Sequence, residues 1–178
     1  MRLPSDPVAT PRLLLTPVTT EDLDDLLLLY GDPRVAQWTG PWDRATIAAW
    51  TAQMAERWAR DGVGKWMART RADGALVGRG GFTRIDLDRE TVLELGWAVR
   101  DHLTGQGYAT ELGQAALSWA ATFHPDTGVV SFTEVHNHAS RAVMRHLDLR
   151  PAGVIHRSGL VEGRAGIHLN APFALYRL

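Results

Sequence analysis

The sequence predicts a mixed α/β fold, one mixed sheet carrying helices on its faces, in the order β-α-α-β-β-β-α-β-α-β-β. Three observations lead to it. A short apolar strand precedes two stretches of helical period. Three segments of period 2 are then joined by tight turns. A glycine-rich loop next opens a long amphipathic helix, after which β-rich sequence returns.

Taken in order, Arg12-Leu13-Leu14-Leu15-Thr16 is the first strand, stopped by Pro17. Thr19 and Asp22 have capping-box spacing, with Asp in place of Glu, ahead of Leu23, Leu26, Leu27 and Tyr30 on one helix face. Asp32-Pro33 ends that helix. Ile47, Trp50, Met54 and Trp58 define a second, closed by Asp61-Gly62. Strands over 65–70, 75–85 and 91–99, with turns at Ala72-Asp73-Gly74 and Asp86-Leu87-Asp88, form an antiparallel meander. Tyr108, Leu112, Ala116, Trp119 and Phe123 line a helix that follows Gly107. A β-branched run over 129–135 leads to a helix through Ser140, Val143, Met144 and Leu147, broken by Pro151. Weaker strands lie around Val154-Ile155-His156 and Phe173-Ala174-Leu175-Tyr176.

Composition narrows the function classes. With 178 residues, 45 % apolar and 22 % charged, the chain is long enough for one full core, which excludes disordered and fibrous classes. A net charge of −1 gives no electrostatic footprint for nucleic acid or an anionic membrane. The absence of cysteine removes thiol nucleophiles and thiolate metal sites. The first residues lack the apolar stretch of a signal peptide, and Leu26 to Tyr30 is too short to span a bilayer, so a cytoplasmic protein is expected.

The segment His102-Leu103-Thr104-Gly105-Gln106-Gly107-Tyr108-Ala109-Thr110 carries the chemistry. Two glycines let the backbone turn sharply and approach a ligand, because no Cβ intervenes. Successive N–H groups and the positive end of the following helix converge on one point, a natural seat for a pyrophosphate. The alternative is a glycine-rich turn that binds nothing.

Three separated motifs decide between these. Leu93-Glu94-Leu95-Gly96-Trp97-Ala98-Val99, the spacing to Gly105-Gln106-Gly107-Tyr108-Ala109, and Asn137-His138-Ala139-Ser140 closely resemble the GNAT acetyltransferase superfamily, best its RimJ/RimL-type branch. The resemblance covers nearly the whole chain, from Pro11-Arg12-Leu13-Leu14-Leu15-Thr16-Pro17 onward, and the element order is also that family's. It implies a single acetyl-CoA-dependent N-acetyltransferase domain over residues 1–178, its sheet splayed between the fourth and fifth strands. By the same resemblance, the phosphate loop is His102 to Thr110, with His102 where relatives have Gln or Arg, and Gly105 and Gly107 at the glycine places. The backbone of Trp97, Ala98 and Val99 would pair with the pantetheine arm, and Asn137 would hydrogen-bond it from across the split.

Acetyl transfer needs a base, and Glu94 is the first candidate. Period-2 alternation puts it with Val92, Gly96 and Ala98, opposite Leu93, Leu95, Trp97 and Val99. Partial burial would raise its pKa to a useful value; the plainer reading is a solvated-face Glu. Glu134 is the second carboxylate, at the acceptor side or acting through water. Many superfamily members place a Tyr after the Asn to protonate the leaving thiolate. Here that place falls on Met144, so Ser140 is the substitute implied by the RimL-type branch, against a reading as a helix cap. Asp148 stands where relatives have a helix-ending Gly, which predicts local strain.

Trp38 and Trp42 flank Thr39-Gly40-Pro41 in a loop that, in the family, helps form the acceptor site, and one of them is expected to line it. His136 and His138 straddle Asn137 without a third ligand, so no metal is expected. Arg141 and Arg145, one helical turn apart, would reach the CoA 3′-phosphate or form a solvated face. The favoured acceptor is a protein or peptide N-terminus. A small amine (antibiotic, polyamine or amino acid) is the alternative, since Glu21, Asp22, Asp24, Asp25 and Asp43 lie near the acceptor side. A non-catalytic acyl-CoA-binding module is the reading from another class. The strand ending Phe173-Ala174-Leu175-Tyr176 offers an edge for a homodimer.

Overall fold

The structure, a computed structural model, describes residues 3–40 and 42–178. Eight strands form one sheet in the order β1-β2-β3-β4-β5-β6-β8-β7. These are β1 (Val8–Ala9), β2 (Leu13–Pro17), β3 (Lys65–Thr70), β4 (Leu76–Leu87), β5 (Glu90–Val99), β6 (Val129–Glu134), β7 (Arg150–Gly159) and β8 (His168–Arg177). Neighbours are antiparallel except β5 and β6. The strand ending Phe173-Ala174-Leu175-Tyr176 is β8, paired on both sides by β6 and β7, so it offers no free edge to a second copy, contrary to expectation. The helices are α1 (Leu23–Gly31), α2 (Pro33–Thr39), α3 (Arg44–Asp61), α4 (Tyr108–Phe123) and α5 (His138–His146).

The expected order holds with two additions among the described residues. Val8-Ala9 adds a short edge strand to β2, so the expected fourth and fifth strands are β5 and β6. Asp32-Pro33 does end α1, but it also starts α2, because Pro is tolerated at the first helical position, where its missing N–H is not needed. Trp38 therefore sits on a helix rather than in a loop, and Pro41 lies outside the described residues. Pro17 belongs to β2 as its last residue, and Pro151 lies inside β7, an edge strand, where its missing donor costs no ladder bond on the open side. The turn after β4 falls on Asp88 and Arg89, both at positive φ (52° and 70°), the conformation of a two-residue hairpin. The Thr19–Asp22 capping box forms as spaced, at the head of a short 3₁₀ turn before α1.

Alternation along the strands gives the sheet two packed faces. Leu13, Leu15, Trp66, Ala68, Phe82, Leu93 and Leu95 pack under α4 and α5 with Leu112, Ala116, Trp119 and Met144. Met67, on the opposite face, joins Leu26, Leu29, Tyr30, Ile47 and Met54 of α1 and α3, with Ala98 beside them. β5 thus divides its side chains as its period requires.

The site depends on a failure of pairing. β5 and β6 are in register only at Leu93↔Val129 and Glu94↔Val130. The Ser131 hydroxyl donates to the Leu95 carbonyl at 2.8 Å, and beyond it the strands diverge.

Candidate active site

Where β5 and β6 part, backbone groups are left without a strand partner. The Leu93 N–H bonds to the Gly128 carbonyl, and the Leu95 carbonyl accepts from Ser131, so odd-numbered residues of β5 point toward β6. By alternation the N–H and C=O of Trp97 and Val99 point into the gap. This edge borders a cavity of about 1110 Å³.

The end of the gap meets the loop before α4. Gly105 and Gly107 have φ of 78° and 81°, left-handed conformations that disfavour any Cβ. A Cβ on Gly105 would meet nothing within 4 Å, so it is the backbone shape that calls for glycine there. The first bond within α4 runs from the Glu111 N–H to the Gly107 carbonyl at 3.0 Å. The N–H groups of Tyr108, Ala109 and Thr110 therefore have no intrahelical acceptor, and Gly107 has no side chain with which to cap them. These three residues, with Thr104, Gly105 and Gly107, line the cavity. His102 and Gln106 do not. His102 is exposed in a 3₁₀ turn, and its carbonyl accepts from the Gln106 side chain at 3.0 Å, which folds the loop on itself.

Three ion pairs around the loop hold it. Glu111 accepts from the Thr10 hydroxyl (2.6 Å), the Arg12 N–H (2.8 Å) and Arg12 Nε (2.6 Å), while Arg12 Nη1 donates to the Gln106 carbonyl (3.0 Å). Burial alone would push the Glu111 carboxyl up, but the bonds from Thr10 and Arg12 and the Arg12 charge outweigh it and lower its pKa. On the other flank, Asp32 accepts from Arg100 Nε (2.6 Å) and the Asp101 N–H (3.0 Å). Burial again opposes, and the Arg100 and Asp101 bonds prevail to lower its pKa. Arg34 donates to the Thr104 hydroxyl (3.1 Å) and lies 2.9 Å from Asp101.

Glu94 lies on the cavity floor, 16 % exposed, where alternation put it. Its partner is one that sequence reasoning missed. Lys65 Nζ lies 3.3 Å from Glu94 Oε2 and donates to the Gly81 carbonyl at 2.8 Å. Lysine at a strand start usually reads as exposed. The available signal was period 2, which places Lys65 on the face of the buried Met67. Burial pushes the Lys65 ammonium down to about 8; Glu94 opposes that shift and Arg79 adds to it.

Across the gap, Asn137 and Ser140 line the cavity from the start of α5. Asn137 Oδ1 accepts from the Ser140 N–H at 3.1 Å, so Asn137 is the cap and Ser140 is not. Met144 is buried in the core. Glu134 also lines the cavity, buried, with its carboxylate 3.4 Å from the Thr133 hydroxyl. Trp38 packs at 5.2 Å from the His136 ring, and Trp42 stacks on Trp50 at 5.6 Å and tilts against Tyr30 at 4.9 Å; all five rings line the cavity. Arg141 is turned inward, donating to the Tyr176 hydroxyl and the Val135 carbonyl. Among the described residues no group of three or more His, Cys, Asp or Glu could hold a metal, and no helix is long and apolar enough to cross a membrane.

The sheet split, the glycine loop and the uncapped helix end together mark the class of fold, and similarity to known proteins identifies it. The family described as "Acetyltransferase (GNAT) domain" matches residues 12–150. YkkB of Bacillus subtilis (strain 168) is 24 % identical over 150 residues, 84 % of this chain and 81 % of that one. The crystal structure of an acetyltransferase from Agrobacterium tumefaciens str. C58 superposes with a TM-score of 0.77 at 24 % identity, covering 97 % of this chain and 94 % of that one. RimL, a ribosomal L7/L12 alpha-N-protein acetyltransferase solved in complex with coenzyme A, superposes with a TM-score of 0.78 at 16 % identity, covering 97 % of both chains. The chain belongs to the GNAT acetyltransferase family. It is an acetyl-CoA-dependent acyltransferase.

Proposed function

We propose that the chain acts as one domain, an N-acetyltransferase that moves an acetyl group from acetyl-CoA to a primary amine, with a protein or peptide N-terminus as the favoured acceptor. The observation that carries this reading is the meeting of three features in one cavity: the uncapped α4 end with its glycine loop, the open edge of β5, and Glu94. The similarity to RimL supports the acceptor class.

Each group has a task. The N–H groups of Tyr108, Ala109 and Thr110, with the backbone of Gly105 and Gly107, receive the pyrophosphate, an anion suited to a positive helix end. His102, Thr104 and Gln106 shape that loop. The exposed edge at Trp97 and Val99 takes the pantetheine arm as an added strand, with Ala98 between them in the β4 ladder. The Asn137 amide nitrogen, left free by the capping role of its oxygen, bonds the arm from the other wall. Acetyl-CoA supplies the activated acyl group. The amine nitrogen bonds to the acyl carbon as the carbon–sulfur bond breaks; the amine proton passes to Glu94, directly or through water, and the Ser140 hydroxyl supplies a proton to the sulfur. Glu134, with Trp38 and Trp42, borders the acceptor.

One observation bears on the small-amine reading. The acidic run does not reach the cavity: Asp22 and Asp25 bind Arg69, Asp24 binds Arg44, and Asp43 caps α3. A polycationic acceptor such as a polyamine or basic antibiotic is thereby disfavoured.

Titration of acetyl-CoA into the protein and into Gly105→Glu tests the assignment. Micromolar binding that the variant abolishes is the expected result, since the new carboxylate stands where the pyrophosphate sits. Absence of binding by the unmutated protein would overturn it. Binding without turnover of any amine would leave an acyl-CoA-binding module.

A further inference from the structure

The charge of the acceptor end of the cavity is one-sided. Two carboxylates line it, Glu94 and Glu134, and Glu94 is already matched by Lys65. Arg57 and Arg79, half-buried, and the exposed Arg157 line it as well; among the described residues neither Arg57 nor Arg79 has a carboxylate within 4 Å, and the charge of Asp61, one turn on along α3, reaches Arg57 only at longer range. Each is held by a neutral hydroxyl. Arg57 Nη1 donates to Thr83 Oγ1 at 3.2 Å, and Arg79 Nε donates to the Tyr30 hydroxyl at 3.0 Å. A hydroxyl fixes the direction of a guanidinium without neutralising it. Removing such a cation from water is unfavourable unless a counter-charge arrives.

The placement is specific. Thr83 is the cross-strand partner of Glu94, so Arg57 is anchored beside the base. Directly opposed residues of antiparallel strands have Cα atoms about 5 Å apart. Arg79, paired with Ala98, lies farther along β4, toward the pantetheine edge. The stacked Trp42 and Trp50 form an apolar wall of the same cavity, with Trp42 against Tyr30, whose hydroxyl holds Arg79. A positive surround also lowers the pKa of an incoming amine, which favours its neutral, nucleophilic form.

We propose that the acceptor is a primary amine carrying an anionic group close to the amine, which Arg57 reads while Glu94 takes the amine proton, with an apolar portion against Trp42 and Trp50. This rests on the acyltransferase reading of the same cavity. The anion is either the carboxylate of a free amino acid or the acidic side chain of a residue next to a peptide N-terminus; both present the same chemistry to Arg57.

The test is equilibrium binding of matched probes in the presence of saturating coenzyme A, followed by the fluorescence of the tryptophans that line the cavity. L-phenylalanine against L-phenylalaninamide probes the free amino acid. The peptide amides Ala-Asp-Phe and Ala-Asn-Phe probe the N-terminus. The anionic member of one pair is expected to bind about ten-fold tighter or more, the size of one charge-assisted hydrogen bond, and that pair identifies the source. Arg57→Met should abolish the preference, whereas Arg57→Lys, which keeps the charge, should retain most of it. Equal or weaker binding of the anionic member in both pairs, no binding of any probe, or a preference that survives in Arg57→Met would overturn the proposal. A separate acetyl-CoA titration distinguishes the failures. Intact acetyl-CoA binding with no anion preference refutes this inference alone; absent acetyl-CoA binding refutes the underlying reading.

Discussion

Lys65 Nζ lies 3.3 Å from Glu94 Oε2, a pair that spans from β3 to β5 across Gly81 of the intervening strand. Gly96 makes room for it: a Cβ there would lie 2.9 Å from Glu94 Oε1 and 3.3 Å from Lys65 Nζ. The pair sets the charge of the cavity floor and gives Lys65 a pH dependence that stability can report.

The Lys65 ammonium, pushed down to about 8 in the folded protein from 10.5, binds its proton more weakly there than in the unfolded chain. Between these values the unfolded state holds the extra proton, so stability rises with pH. Below about 8 both states are charged and the full burial cost is felt. Relative to Lys65→Met, the wild type should therefore gain about 3 kcal/mol between pH 8 and 10.5, at 1.36 kcal/mol per pKa unit. Urea unfolding of the two proteins across that range measures the difference, and parallel curves would refute the assignment.

Glu94→Gln keeps the shape of the site and removes the proposed base. Turnover should fall by about 10²-fold or more, the usual contribution of a positioned general base. The acetyl-CoA dissociation constant should stay within about two-fold, because the glycine loop and β5 edge are untouched. A small fall in turnover would shift the base to Glu134 acting through water.

Glu111→Gln breaks the clasp between the entry to β2 and the glycine loop. Its lowered pKa means that the carboxylate stabilises the fold above the ordinary carboxylate range, and that this is lost as pH falls through the lowered value. The substitution should cost about 1–3 kcal/mol of stability at neutral pH, in the range for charge-assisted hydrogen bonds. It should also weaken acetyl-CoA binding several-fold, because Arg12 would no longer hold the Gln106 carbonyl. Thermal melts and calorimetric titration report the two effects separately.

Asp148, exposed at the end of α5, has φ of 61°, as its place after a helix suggested. Asp148→Gly should stabilise the protein by about 0.5–1 kcal/mol, since glycine occupies this region without steric cost. A lowered melting temperature would contradict this.

Most of the fold was legible because its signals are local. Capping at Thr19 and Asp22, the turn glycines and the 3.6- and 2-residue periods concern neighbours in the chain, and each produced an element near its expected bounds. α2 escaped because Asp32-Pro33 both stops one helix and starts another, and seven residues hold too few turns for a period to show. The glycine loop, Glu94 and Asn137 were legible through motif and alternation. Arg57 and Arg79 were not, since a lone basic residue in a strand or helix carries no local mark of burial; Lys65 had only its period-2 place on the face of Met67, which does not reveal its partner.

By itself the sequence determined the order of elements, the two faces of β5 and the left-handed glycines ahead of α4, all of which follow from backbone sterics and hydrophobic period. Tertiary structure decided the rest. It turned the acidic run of α1 toward Arg69 and Arg44, away from the cavity, and it carried Arg57 from α3 to Thr83, 26 residues on, beside Glu94. The charge facing an acceptor is set by which side chains converge across the sheet. That convergence is a property of packing between distant segments, on which local spacing is silent.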